Sequence, residues 1–394
     1  MLRSLFCALA LLTGGAALAH DGMDMSHMEM HGTPLGFGAA IDAKGRLWVV
    51  DAVDQHIRVR HSDDMGRTLL DPVIVNPVAE AIYAEGENRP KLVFGNQGEI
   101  YVSWSQPRKA PYTGFVRFSR SLDGGRHFDA PQTVHTDRAE ITHRFDSLAV
   151  DGKGRVVVAW IDKRDLEKAT AAGKPYLGAA AYYTWSDDRG ASFKPERKIV
   201  DQSCECCRIA LARDPAGNID AFFRAIYGDN IRDHAYAMLP TDGSAPMPQR
   251  ASFEQWHIEG CPHHGPSLSI AADGTRHAVW FSAAGGKATI WYGQLDPGNP
   301  PKHLMTVASA GAAHADVIVA GKQVWIAWNQ MDAAGLKLML RVSTDGGVSF
   351  DDAREIANTK ASAGWPQLLL WKDRAFVAWN TADGFRLVPT EALQ

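Results

Sequence analysis

The chain has 394 residues, a formal net charge of −4, 45% hydrophobic residues and five cysteines, three of which fall within four positions. That length allows one large domain with its own core, and the acidic balance gives no support to a nucleic-acid-binding surface. Beyond the first twenty residues no apolar run approaches the length needed to span a bilayer.

Taken from the N-terminus, residues 1–19 join a basic Arg3, an apolar run and the small-residue exit Ala17-Leu18-Ala19. This is the pattern of a secretory signal, cleaved after Ala19 and taking Cys7 with it, and it places the mature chain in a bacterial periplasm. Residues 20–34, HDGMDMSHMEMHGTP, have no apolar period and are expected to be disordered. They carry His20, Met23, Met25, His27, Met28, Met30 and His31. Thioethers bind Cu(I) and have little affinity for zinc, while imidazole serves both copper states. After cleavage His20 would offer its amino group and ring together as a Cu(II) chelate. Such a segment resembles the methionine-rich stretches of periplasmic copper-handling proteins, which implies a copper-capturing tail.

From residue 35 to 394 a repeat takes over. GRLWVVD (45–51), GEIYVSW (98–104), GRVVVAW (154–160), GNIDAFF (217–223), GTRHAVWF (274–281), GKQVWIAW (321–328) and DRAFVAW (373–379) recur at spacings of 47 to 63 residues. Each is rich in β-branched and aromatic residues and is bounded by turn formers, as buried strands are. A small apolar strand precedes and a more polar alternating strand follows, so each period predicts a four-stranded antiparallel blade. The expected fold is an all-β propeller of seven blades, with six plus an extra edge element as the alternative; the last repeat is short of its outermost strand, so that either the N-terminal segment completes that blade or it has three strands.

SLDGGRHF (121–128), SDDRGASF (186–193) and STDGGVSF (343–350) fit Ser-x-Asp-x-Gly-x-x-Phe, and SDDMGRTL (62–69) is a weaker copy. These resemble the Asp-box of sialidase-like propellers, a structural turn at a blade's outer edge, and the resemblance spans roughly residues 35–392. It implies a site to be tested: three arginines on a substrate carboxylate, the first in an Arg-Ile-Pro motif, with a Tyr–Glu pair and an acid/base Asp. Arg58 is followed by Val and Arg89 by Pro, so neither carries that motif. Arg144, Arg164, Arg224, Arg232 and Tyr227 remain as residues that could face the axis, and no catalytic residue is assigned.

Four cysteines survive cleavage: Cys204, Cys206, Cys207 and Cys261. An even count in an oxidising compartment suggests disulfides, yet bridges between such near neighbours are strained. The connection entering each innermost strand reaches the channel mouth of a propeller. Cys204, Cys206 and Cys207 lie in one such connection, Cys261, His263 and His264 in the next, and His143 and His314 in two others. Thiolate and imidazole together suit copper or zinc. SCECCR followed by GCPxxGP also resembles an exported bacterial subgroup of sialidase-like repeat proteins. The expectation is a monomeric copper-binding protein for copper tolerance or delivery, partnered by copper ions and another periplasmic copper-handling protein. A glycan-active or glycan-binding propeller with structural disulfides, and a copper redox enzyme, are the alternatives.

Overall fold

The computed structural model describes residues 35–391. The tail residues His20, Met23, Met25, His27, Met28, Met30 and His31 lie outside them, as does the cleavage site. Within 35–391 the chain forms seven sheets, each made of consecutive antiparallel strands in chain order. The repeated segments supply the second strand of every sheet: Leu47–Val53, Ile100–Pro107, Val156–Asp162, Ile219–Arg224, Arg276–Ser282, Gln323–Asp332 and Arg374–Thr381. Six blades have four strands, and the seventh has three, Gln367–Trp371, Arg374–Thr381 and Gly384–Pro389.

The first strands of neighbouring blades touch in succession, and that of blade seven touches Phe37–Ile41 of blade one, closing the ring. At the closure the Ala39 N–H donates to Gln367 Oε1 at 2.9 Å and Gln367 Nε2 donates to the Ala39 carbonyl at 3.0 Å. Trp104, Trp160, Trp280, Trp328 and Trp379, all from second strands, are among the largest fully buried side chains. Each such ring removes on the order of 200 Å² from water, worth about 5 kcal/mol before conformational entropy is subtracted. That burial explains why the Trp-bearing segments recur.

The four Asp-box turns, in blades one, two, three and six, each dock their blade on the one before it. In blade two, Ser121 Oγ donates to Asp123 Oδ1 at 2.9 Å and accepts from Gly125 N at 2.9 Å. Asp123 Oδ1 also accepts from the backbone N–H of Arg126 and His127, each at 3.0 Å. Gly125 (φ +86°) lies so close to Trp48 of blade one that a Cβ would sit 2.7 Å from the ring. Phe193 packs edge-on against Phe118 with centroids 5.0 Å apart, and Phe350 does the same on Tyr292 at 4.8 Å. The weaker copy follows suit, with Leu69 packed between blades one and seven.

Candidate metal centre at the channel mouth

Six of the seven innermost strands or their entering connections line an axial channel of about 290 Å³, bounded in part by Arg89, Lys91, Ser147, Arg208, Ser269 and Asp316. The connection 204–209 leaves the outermost strand of blade three, Arg197–Ser203, and enters blade four. It is zipped to the end of that blade's second strand: Cys204 N–H donates to the Arg224 carbonyl at 3.0 Å, and Ile226 N–H to that of Gln202 at 2.9 Å. This turns the three thiols inward. Cys204, Cys206 and Cys207 are 0%, 3% and 2% exposed and join a core cluster with Phe145, Ala179, Ile209 and Ala225.

Cys204 Sγ lies 3.8 Å from Cys206 Sγ and 3.7 Å from Cys207 Sγ, and all three sulfurs fall within 4.8 Å of one another. A disulfide would need about 2.05 Å, so these are free thiols. Sulfurs bound to one tetrahedral metal at about 2.3 Å stand roughly 3.8 Å apart, so an ion fits with little movement of the chain. Hydrogen bonds from Cys206 and Cys207 hold the Cys204 thiol well below the usual range. The same bonds push Cys206 and Cys207 up. An ion bound to all three sulfurs would displace their protons and replace those hydrogen bonds.

Cationic groups collar the sulfurs. Arg232 Nη1 donates to Cys204 Sγ at 3.6 Å. Arg224, 1% exposed, donates to the carbonyls of Arg232, His264 and Phe281. Arg144 lies over the Tyr83 ring at 4.0 Å. Among the described residues Arg144, Arg224 and Arg232 meet no carboxylate, although all three are buried. Arg208 does: its Nη1 donates to Glu87 Oε2 at 2.9 Å. Glu87 also accepts from the N–H of Arg208 and Gly265, and so ties together the mouth connections of blades two, four and five. Buried guanidinium groups lacking carboxylates favour negative charge between them, and thiolates supply it.

The expected ligands divide. Cys204, Cys206 and Cys207 come together. Cys261 is exposed at the rim, where a hydrogen bond with Cys206 lowers its thiol pKa. His263 is exposed, with its ring 6.4 Å from that of Phe145. His264 and His314 are stacked instead with Phe281 and Trp365, at successive centroid distances of 4.0, 4.6 and 3.7 Å. Imidazole lone pairs lie in the ring plane, so two rings stacked face to face do not aim them at one ion. Burial lowers the His264 pKa to about 4 and that of His314 well below its usual value. His143 leaves the mouth altogether: its Nδ1 donates to Asp162 at 2.9 Å, and its ring stacks on His135 at 4.0 Å between blades two and three.

Of the arginines weighed for a carboxylate site, Arg58 is bound to Asp51 and Arg164 to Asp162 and Glu196. Tyr227 lies beneath the Arg250 guanidinium, and burial raises its pKa to about 12. The sequence reading missed Phe145 and the thiol-facing role of Arg232. Phe145 (φ +57°) and His314 (φ +57°) adopt left-handed backbone at irregularities in the first strands of blades three and six. Non-glycine residues held there cost on the order of 1–3 kcal/mol and gather at functional sites.

No protein-family model matches the chain, and no curated protein does. Solved structures match its fold. A PL25 ulvan lyase, described as a new polysaccharide lyase family, aligns at a TM-score of 0.58 and 12% identity, over 91% of this chain and 94% of its own. The polysaccharide lyase Uly1 aligns at 0.55 and 9%, over 91% and 90%. Hadza microbial sialidase Hz136 aligns at 0.50 and 14%, over 87% and 75%. At such identities the likeness establishes a seven-bladed propeller resembling those of lyases and sialidases, and function rests on the site.

Proposed function

We propose that this is an exported copper-binding protein that holds Cu(I) on Cys204, Cys206 and Cys207, with Cys261 at the rim and the tail 20–34 as a capture segment. The observation carrying this reading is the set of three buried sulfurs spaced for one ion inside a collar of arginines lacking carboxylates. An all-sulfur donor set is soft and suits a monovalent soft ion. Cu(I) on three thiolates leaves two negative charges, which Arg224 and Arg232 are placed to neutralise. Ligation requires deprotonated thiols, so affinity falls with pH. The test is a Cu(I) titration of reduced protein against a chromophoric chelator. One chelator-resistant ion should survive deletion of residues 20–34 and be lost in Cys206→Ser/Cys207→Ser. Retention of that ion by the double variant would refute the site.

A second reading is favoured by the fold together with the same arginines. The similar structures are described as polysaccharide lyases and a sialidase, and Arg144 and Arg232 at the mouth suit the carboxylate or sulfate of an anionic glycan. Turnover of a uronate-containing polysaccharide or a sialyl-oligosaccharide, lost in Arg144→Ala but kept in Cys206→Ser/Cys207→Ser, would establish it over the copper reading.

A further inference from the structure

No part of the copper or mouth-glycan readings uses a cleft of about 430 Å³. It lies between the segment that follows the outermost strand of blade four and the outer half of blade five. Phe253, Trp291 and Pro301 form its walls, Glu254 and Lys287 face into it, and Thr306 lies at its edge. The second-to-third-strand hairpin of blade five borders it, so by strand direction it opens on the same face of the ring as the cysteine connections.

The lining restricts what fits. Trp291 is half-buried on the third strand, paired across to Trp280 on one side and Thr306 on the other, which fixes the face of the sheet from which its ring projects. Glu254 is half-buried and, among the described residues, forms no salt bridge, and burial raises its pKa. Lys287 is exposed at the opening. A wholly apolar ligand would desolvate Glu254 without replacing its hydrogen bonds. An anion would meet Glu254, and a cation would meet Lys287. What satisfies aromatic walls and both polar groups at once is a neutral molecule with an apolar face and a rim of hydroxyls. We infer that this cleft is a binding site for neutral saccharide units, with Trp291 and Phe253 as platforms for the C–H faces and Glu254 and Lys287 as hydroxyl partners. Its volume lies within the range of small-ligand sites.

The test uses the full chain with maltose, cellobiose and xylobiose as probes, read by saturation-transfer NMR and by tryptophan fluorescence. At least one probe should bind, and Trp291→Ala and Glu254→Gln should each weaken it about tenfold or more, with circular dichroism unchanged. Should Trp291→Ala disturb the sheet, Glu254→Gln decides alone, because it keeps the shape of the side chain. Binding should be the same in Cys206→Ser/Cys207→Ser, which separates this site from the mouth. Failure of all three probes to bind, binding indifferent to Glu254→Gln, or displacement of the probe by a zwitterionic dipeptide or by sialyllactose would overturn the assignment.

Discussion

Replacing Glu87 by Gln removes the only carboxylate on the Arg208 guanidinium among the described residues, while keeping the size of the side chain. The Glu87 side chain is fully buried and that of Arg208 is 10% exposed. Deleting one partner of a buried pair leaves an uncompensated charge, at a cost of about 3–5 kcal/mol. With about 2.1 cal/mol/K of unfolding entropy per residue over the roughly 360 residues of the ring, Tm should fall by about 4–7 °C. The assay is calorimetry or a thermal melt of Glu87→Gln, Arg208→Met and the double variant. Because the double variant removes both charges, it should recover most of the loss, as buried pairs replaced by apolar groups often do. If Glu87→Gln melts within about 1 °C of the parent, or if the two losses simply add, the mouth is not held by this pair.

Arg232→Met should weaken Cu(I) binding by about 10–100-fold, the usual cost of removing a partner of a metal ligand, with an unchanged melt; unchanged affinity in the chelator competition would remove Arg232 from the site. Gly125→Ala forces a Cβ against Trp48 and an alanine into φ +86°, so it should cost about 1–3 kcal/mol in urea denaturation. Burial lowers the pKa of His135 to about 3 and of His264 and His277 to about 4. These rings stay neutral in the folded state while the unfolded chain takes up protons below about 6.5, so stability is full above that pH and is lost as the pH falls towards 4. Each contributes a slope of about 1.4 kcal/mol per pH unit, and His277→Gln should remove one such increment between pH 6 and 5 in denaturation curves.

The scaffold was legible because its information is local. Period-two apolar strands with a Trp, and turns built on Ser, Asp and Gly, force the same conformation wherever they occur, so seven second strands and the short last repeat could be read in advance. The crowding of Cys204, Cys206 and Cys207 was equally visible, since the sulfurs meet within one connection. What surrounds them was not. His143 and Arg144 are neighbours, yet the register irregularity around Phe145 decides which of them faces the mouth, and no residue-type preference announces a phenylalanine at positive φ. His264 and His314 carry the expected donor atoms, but the distant Phe281 and Trp365 decide that they stack. Arg232 sits in the hairpin between the second and third strands of blade four and gains its role only when the connection carrying Cys204 is zipped to that blade.

That closure has a mechanical consequence. No strand from one end of the chain is laced into the blade at the other end among the described residues; first and last blades meet through their innermost strands, the Gln367–Ala39 amide exchange and the packing of Leu69 near Leu387. The circle therefore has a clasp. Pulled from its two ends, the protein should part there first, with the other six junctions still intact, and amide exchange along Phe37–Ile41 and Gln367–Trp371 should report that opening before any other blade loosens.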